Sequence, residues 1–495
     1  MKAILVLFDS LNKRYLPMFG GKDVYAPNFE RLAKKSVTFN NSYVASMPCI
    51  PARRELHTGR KNFLHREWGP LEPYDNSMPN ILKKNGIYSH LISDHIHYWE
   101  EGGANYHTKY STWEIVRGQE GDHWKGSVKD PEIPEVASVP MNQQGTAVSS
   151  MWRNDWVNRE YMPTEEDQPV TKVFDLGCEF IKKNFSQDNW FLQIETFDPH
   201  EPFFVKEHYL SRYEKNYTGK HFDWPRGEVK ETPEEIKHVQ DVYKALVSMS
   251  DANLGKVLDL MDLLNMWEDT MLIVGTDHGF MMSEHGFWGK NQVPYFNEVA
   301  KTPLFIYDPR IKNQNESRDA LVQMIDWAPT ILDFFGLDIP DEMEGKPLFD
   351  TLRDDSKVRD EALFGVFSGH VNVTDGEYVY MRAAKPDKIN HINNYTLMPV
   401  KMHNSFSLEE LKKAELVEGF SFTKGLKLLK VPAKDKYGVN KFGTMLFNVL
   451  DDPKQLHPIS DPIIINRMKK KLIKLMKENE APVEQYERLG LDEEQ

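Results

Sequence analysis

Apolar residues in this chain alternate between two spacings. Ala3–Phe8 is an unbroken apolar run with β-branched members, which suits a strand buried on both faces of a parallel sheet. The same reading predicts strands at Val37–Val44, Tyr88–Ser93, Trp190–Ile194, Thr270–Val274 and Pro303–Tyr307. Between them the apolar positions recur every three to four residues, as on one face of a helix. Pro27–Lys35 places Phe29, Leu32 and Ala33 on one side, with Pro27 in the first turn. Met78–Asn85 reads as a helix stopped by Gly86. Val170–Asn184, Thr232–Leu264 and Asp326–Phe335 are the remaining helices of this part. Strand and helix in alternation predict an α/β domain over residues 1–360 with a mostly parallel central sheet.

The pattern changes beyond that point. Leu363–Phe367, Tyr378–Arg382 and Thr444–Val449 read as strands, and Pro462–Lys477 as a helix with Ile465, Met468, Leu472 and Leu475 on one face. Residues 361–495 are therefore expected to form a smaller α+β subdomain with a small antiparallel sheet. Within the larger domain, residues from about 100 to 170 are rich in Gly, Trp, Asn, Glu and Pro and lack periodicity, which marks a long excursion from the core.

Composition narrows the function classes. Of 495 residues, 40% are hydrophobic and 27% charged, an ordinary soluble balance. The net charge of -14 argues against a nucleic-acid binder. An anionic substrate would need a local positive pocket set against that field. Cys49 and Cys178 are too few for a disulfide framework and lack zinc-site spacing. MKAILVLFDS is too short in apolar residues for a signal peptide, and no stretch approaches a membrane span, so a cytoplasmic protein with no membrane contact is expected.

In open α/β sheets ligands bind beyond the carboxyl ends of the strands. Ala3–Phe8 is followed there by Asp9, Trp190–Ile194 by Phe197-Asp198-Pro199-His200, and Thr270–Val274 by Asp277-His278-Gly279. Together these predict an oxygen-rich site for a divalent cation, with Ca²⁺ foremost and Mg²⁺ or Mn²⁺ as alternatives. Cys49-Ile50-Pro51-Ala52-Arg53 suggests a helix start just after Cys49, with Arg53 in the first turn. A helix N-terminus favours anions, and a guanidinium can grip a tetrahedral oxyanion. The same residues also fit a buried structural thiol.

C-x-P-x-R followed by T-G-R over Cys49–Arg60 resembles the signature of type I, formylglycine-dependent sulfatases of the alkaline phosphatase superfamily. The resemblance runs nearly end to end. Phe8-Asp9, Pro199-His200-Glu201-Pro202-Phe203, Thr276-Asp277-His278-Gly279 and Glu284-His285-Gly286-Phe287-Trp288-Gly289-Lys290 are similar to the family's successive motifs. So are Asp326-Trp327-Ala328-Pro329-Thr330 and Phe447–Pro453. The resemblance implies an alkaline-phosphatase-like three-layer α/β/α sandwich and a sulfuric ester hydrolase that releases alcohol and sulfate.

It further implies that Cys49 is oxidised to formylglycine (3-oxoalanine) by a maturation enzyme. One hydroxyl of the hydrated aldehyde then attacks sulfur, and the other loses its proton as sulfate departs. By motif, Asp9, Cys49, Asp277 and His278 would hold the metal, Arg53 would orient residue 49 and help bind the oxyanion, Lys290 would contact sulfate, and His200 would protonate the leaving alcohol or contact the sulfate. A small sulfated substrate is implied, and the aromatic-rich excursion makes a carbohydrate sulfate plausible.

Three features depart from the pattern. Ser10 follows Asp9 where many relatives carry a second Asp, which resembles choline sulfatases and phosphonate monoester hydrolases. The family's Lys-x-His sulfate contacts have no match, because Ser93-Asp94-His95-Ile96-His97 stands in their place, so His95 and His97 become candidate substrate contacts. Ala52 replaces a frequent Ser. A phosphonate monoester or phosphodiester hydrolase, or a binding protein with an unmodified Cys49, are the competing readings. His57, His65, His285 and His370 are taken as structural, and Cys178 as core.

Overall fold

The computed structural model describes residues 1–138 and 150–492. Its largest sheet has eight strands in the order Glu316–Arg318, Val37–Phe39, Leu304–Tyr307, Thr270–Thr276, Lys2–Phe8, Trp190–Thr196, Tyr88–Ser93 and Thr112–Ile115. From Thr270–Thr276 to Thr112–Ile115 the neighbours are parallel, whereas Leu304–Tyr307 runs antiparallel to both its neighbours. Lys2–Phe8 is the hub. Phe8 lies opposite both Thr196 and Thr276, so the residues that follow all three strands emerge at one edge.

Alternate residues of the hub strand serve two cores, which is why its run is apolar throughout. Ala3, Leu5 and Leu7 pack in one core with Ile50, Leu56, Met78, Leu82 and Ile331. Ile4, Val6 and Phe8 pack in the other with Phe29, Leu32, Phe174, Leu246 and Leu258. The helices Cys49–Thr58, Met78–Lys84 and Trp327–Phe334 thus cover one face, and Pro27–Lys35, Pro169–Asn184 and Pro233–Leu263 the other. Cys178 sits in the second core, as expected of a structural thiol.

The expected strand Val37–Val44 is split. Val37–Phe39 stays in the large sheet, Asn40 and Asn41 make a turn, and Ser42–Tyr43 pairs with Val322–Gln323 instead. The excursion is not structureless: Thr112–Ile115 forms the sheet edge and Met151–Arg159 a helix.

The second sheet runs Met445–Asn448, Tyr378–Arg382, Val371–Thr374, Ala362–Val366 and Ser46–Met47. Its last strand comes from the segment just ahead of Cys49, paired parallel to Gly365 and Val366. Glu55 of the following helix accepts from the backbone N–H groups of Ala45 (2.9 Å) and Ser46 (2.6 Å). The C-terminal sheet and the helix therefore fix the approach to Cys49 between them. A further three-stranded sheet, Asn393–Thr396, Leu428–Pro432 and Glu415–Val417, lies beyond the predicted elements. Among the described residues, no helix is long and apolar enough to cross a membrane.

Candidate active site

The helix after Met47 begins at Cys49 itself, one residue earlier than expected. Arg53 accordingly lies a full turn beyond Cys49, and its guanidinium donates back to the Cys49 carbonyl at 3.0 Å. The remaining contacts are ionic. Arg53 donates to Glu195 at 2.6 Å, to Asp277 at 2.6 Å and to Asp9 at 3.0 Å, with all four side chains fully buried. A guanidinium so engaged has little left for an oxyanion. It brackets three carboxylates and anchors residue 49 instead.

Asp9, Cys49, Asp277 and His278 converge, with donor atoms all within 4.8 Å of one another. Cys49 Sγ is 3.3 Å from His278 Nε2 and 4.0 Å from Asp9 Oδ1. His278 Nδ1 is 2.9 Å from the Gly279 carbonyl, and as the donor there it leaves the Nε2 lone pair facing the cluster. Burial pushes His278 down to about 3, so it is neutral, the form that ligates a metal. Burial also opposes charge on Asp9, but Arg53, His200 and Lys290 outweigh it and hold its carboxyl well below the usual range. Burial and then the charge of Asp9 push Asp277 up to about 8. Two carboxylates and a neutral imidazole in one dry pocket fit a divalent cation, which would relieve the repulsion between Asp9 and Asp277. Burial, and next the charge on Asp9, push the Cys49 thiol well up, so as a thiol it stays protonated.

Lys290 follows the short strand Phe287–Gly289. Its amine donates to Ser10 Oγ at 2.9 Å and lies 3.8 Å from Asp9 and 3.9 Å from Glu201. Ser10 in turn donates to Asp9 at 2.8 Å, so the residue in place of a second Asp links the cation to the ligand cluster. His200 Nδ1 contacts the Glu201 carbonyl and lies 3.2 Å from the Glu201 carboxylate.

Cys49, Lys290, His200 and His97 all line one cavity of about 470 Å³. His95 does not. It is fully buried behind Asp9, with Nε2 at 3.5 Å from that carboxylate and its ring 4.9 Å from Phe197. His97 and His403 both point Nδ1 at the same Glu100 oxygen, at 2.6 and 2.8 Å. These three residues also sit close enough to hold an ion, but the two N–H groups are already met by the carboxylate.

The cavity walls hold most of what the sequence pattern does not show. Trp68, Trp224 and Tyr437 supply aromatic surface, and Arg226, Lys436 and Lys441 supply positive charge. Three aromatics at the start of the excursion are structural instead: Tyr98, just ahead of it, donates to Glu195, Tyr106 to the Gly69 carbonyl and Tyr110 to Gln193. The four histidines set aside are likewise partnered, His57 with Ser77, His65 with the Glu480 carbonyl, His370 with the Gly443 carbonyl and His285 stacked on Phe296.

Residues 2–337 match the family model described as Sulfatase, and residues 283–410 that described as N-sulphoglucosamine sulphohydrolase, C-terminal. The chain belongs to the sulfatase family. It is an enzyme of sulfate ester hydrolysis. It is 25% identical over 405 residues to an arylsulfatase of Clostridium perfringens, spanning 75% of this chain and 83% of that one. In fold it is similar to the phosphonate monoester hydrolase of Agrobacterium radiobacter, with a TM-score of 0.66, 16% identity and coverage of 97% and 96%. It is also similar to a protein solved in complex with its substrate D-glucosamine-2-N,6-O-disulfate, with a TM-score of 0.64, 14% identity and coverage of 100% and 99%. The sulfatase's sheet, flanking helix layers and extra C-terminal sheets are those of this α/β fold.

Proposed function

We propose that this sulfatase cleaves a sulfate monoester of a small carbohydrate to alcohol plus sulfate at position 49, after Cys49 is converted to formylglycine. The supporting observation is the placement of Cys49 Sγ, 3.3 Å from His278 and 4.0 Å from Asp9, on the wall of a cavity shared with Lys290 and His200. Asp9, Asp277, His278 and residue 49 would hold a divalent cation, whose chemistry is Lewis acidity and a lowered pKa for the attacking hydroxyl. Oxygen donors favour Ca²⁺, and the imidazole of His278 also admits Mn²⁺.

The chain's own groups then divide the work. Formylglycine hydrate offers one hydroxyl to attack sulfur and a second whose deprotonation releases sulfate. Arg53 fixes the backbone of residue 49 and keeps Asp9 and Asp277 in place. Lys290 faces charge that grows on the transferred group and on the departing oxygen. His200 donates Nδ1–H to the Glu201 carbonyl and burial favours its neutral ring, so Nε2 holds a lone pair that would accept a hydrogen bond from the sulfate ester's surroundings or take up a proton before passing it to the alcohol. His97 takes up sulfate or sugar contact from the cavity wall, and His95 steadies Asp9. Because Cys49 is 1% exposed and within a helix, a formylglycine-generating enzyme must reach it before that helix docks.

Paired kinetics on an aryl sulfate and an aryl phosphonate monoester test this reading. A higher kcat/KM on the sulfate is expected. Preference for the phosphonate would transfer the site to the competing reaction.

A further inference from the structure

The cavity carries more positive charge than one sulfate ester needs. Lys290 sits beside the ligand cluster, tied to Ser10 and close to Asp9 and Glu201. The cavity wall also carries two carboxylates, Glu201 and Glu120. Glu201 lies 3.2 Å from His200, and Glu120 lies 3.6 Å from His97. Arg226, Lys436 and Lys441 are left over. Among the described residues none of the three forms an ion pair, and Arg226 Nε is buried without a hydrogen-bond partner. The Lys436 amine lies 5.3 Å from the centre of the Trp68 ring and 5.6 Å from that of Tyr437. An anion in the cavity would give the buried Arg226 Nε a charge-assisted hydrogen bond. The protein as a whole carries a net charge of -14, so these cations are a local exception set around the reaction site.

We infer that the substrate is a sulfated sugar bearing a second anionic group, a sulfate or a carboxylate. The scissile sulfate lies at Cys49 and Lys290, the second anion lies among Arg226, Lys436 and Lys441, and the ring rests on the Trp68 side of the cavity. This rests on the sulfate ester reading, and it adds a recognition site separate from the reacting atoms. Cations at such a position act on specificity through complementarity with the ligand's charge.

The test is binding to Cys49→Ala protein, which cannot turn over, by calorimetry at low salt. The probes are glucosamine 6-sulfate and glucosamine bearing both N- and 6-O-sulfates. The disulfate is expected to bind at least about tenfold tighter, and the advantage should shrink as salt screens it. Arg226→Gln with Lys436→Gln should bring the two affinities together. Lys441→Gln, at an exposed position, should narrow the gap even if the double variant does not fold. Equal affinities in the parent protein, an advantage that survives these substitutions, or no binding of either sugar would overturn the inference. Failure of wild-type protein to cleave an aryl sulfate, with the disulfate preference intact, would instead overturn the reaction and leave the recognition site standing.

Discussion

Arg53 donates to Asp277 at 2.6 Å with neither side chain exposed. The same guanidinium holds Glu195 and Asp9, so one cation compensates three buried carboxylates. Replacing it by Met leaves those charges unpaired. Breaking a buried ionic cluster from one side costs about 3–5 kcal/mol. Arg53→Met is expected to lose stability on that scale in urea unfolding, together with activity. A variant as stable as the parent would show that the bracket is dispensable.

Asp277→Asn keeps the shape of the site but removes a charged donor from the cluster of Asp9, Cys49 and His278. Metal content per chain, measured by elemental analysis after dialysis, should fall. The Asp9 carboxylate remains, so weak binding at high metal concentration is expected to persist. Unchanged stoichiometry would remove Asp277 from the ligand set.

Lys290→Ala removes the cation that contacts Ser10 and faces the cavity. Loss of one electrostatic donor at a reacting centre lowers kcat by about 10²–10³-fold. That range is expected on an aryl sulfate, with the metal content retained. A loss confined to KM would assign Lys290 to binding alone.

Acid should destabilise the fold through histidines remote from the reaction. Burial pushes His57 and His65 down to about 3 and His370 to about 4. The unfolded chain, titrating near 6.5, binds protons more readily than the folded one. Their contribution is therefore complete above about pH 6.5 and is lost as pH falls toward the folded values, at up to about 1.4 kcal/mol per pH unit for each. Thermal midpoints at pH 7 and pH 5 should show the drop. His65→Gln, whose amide can still reach the Glu480 carbonyl, should make the decline shallower. An unchanged slope would contradict the assignment.

Much of the scaffold was readable because strand ends carry the chemistry. Asp9, His200, Asp277 and His278 follow apolar runs that are central neighbours, so their convergence follows from sheet order. Glu195 was hidden because the strand runs on to Thr196, past the apolar run that ends at Ile194, and because it acquires meaning only through Arg53, which is 142 residues away in sequence. His95 and His97 are two residues apart, yet one packs behind Asp9 and the other lines the cavity, and motif spacing does not separate those fates. Trp68, Arg226 and Lys436 come from loops without periodicity, where a charge or a ring usually signals solvent contact. The sheet containing Asn393–Thr396 escaped notice because its outer strands are only four and three residues long and its central one, Leu428–Pro432, is broken by Lys430 and ends on proline.

The account stands on residue 49 working as an oxygen nucleophile rather than a thiol. The most direct measurement is the mass of the peptide spanning residue 49, with aldehyde-specific labelling, in a preparation whose turnover of an aryl sulfate is known. The prediction is an aldehyde in place of the thiol in a fraction that rises and falls with activity. A fully active preparation in which Cys49 is entirely an unmodified thiol would contradict it.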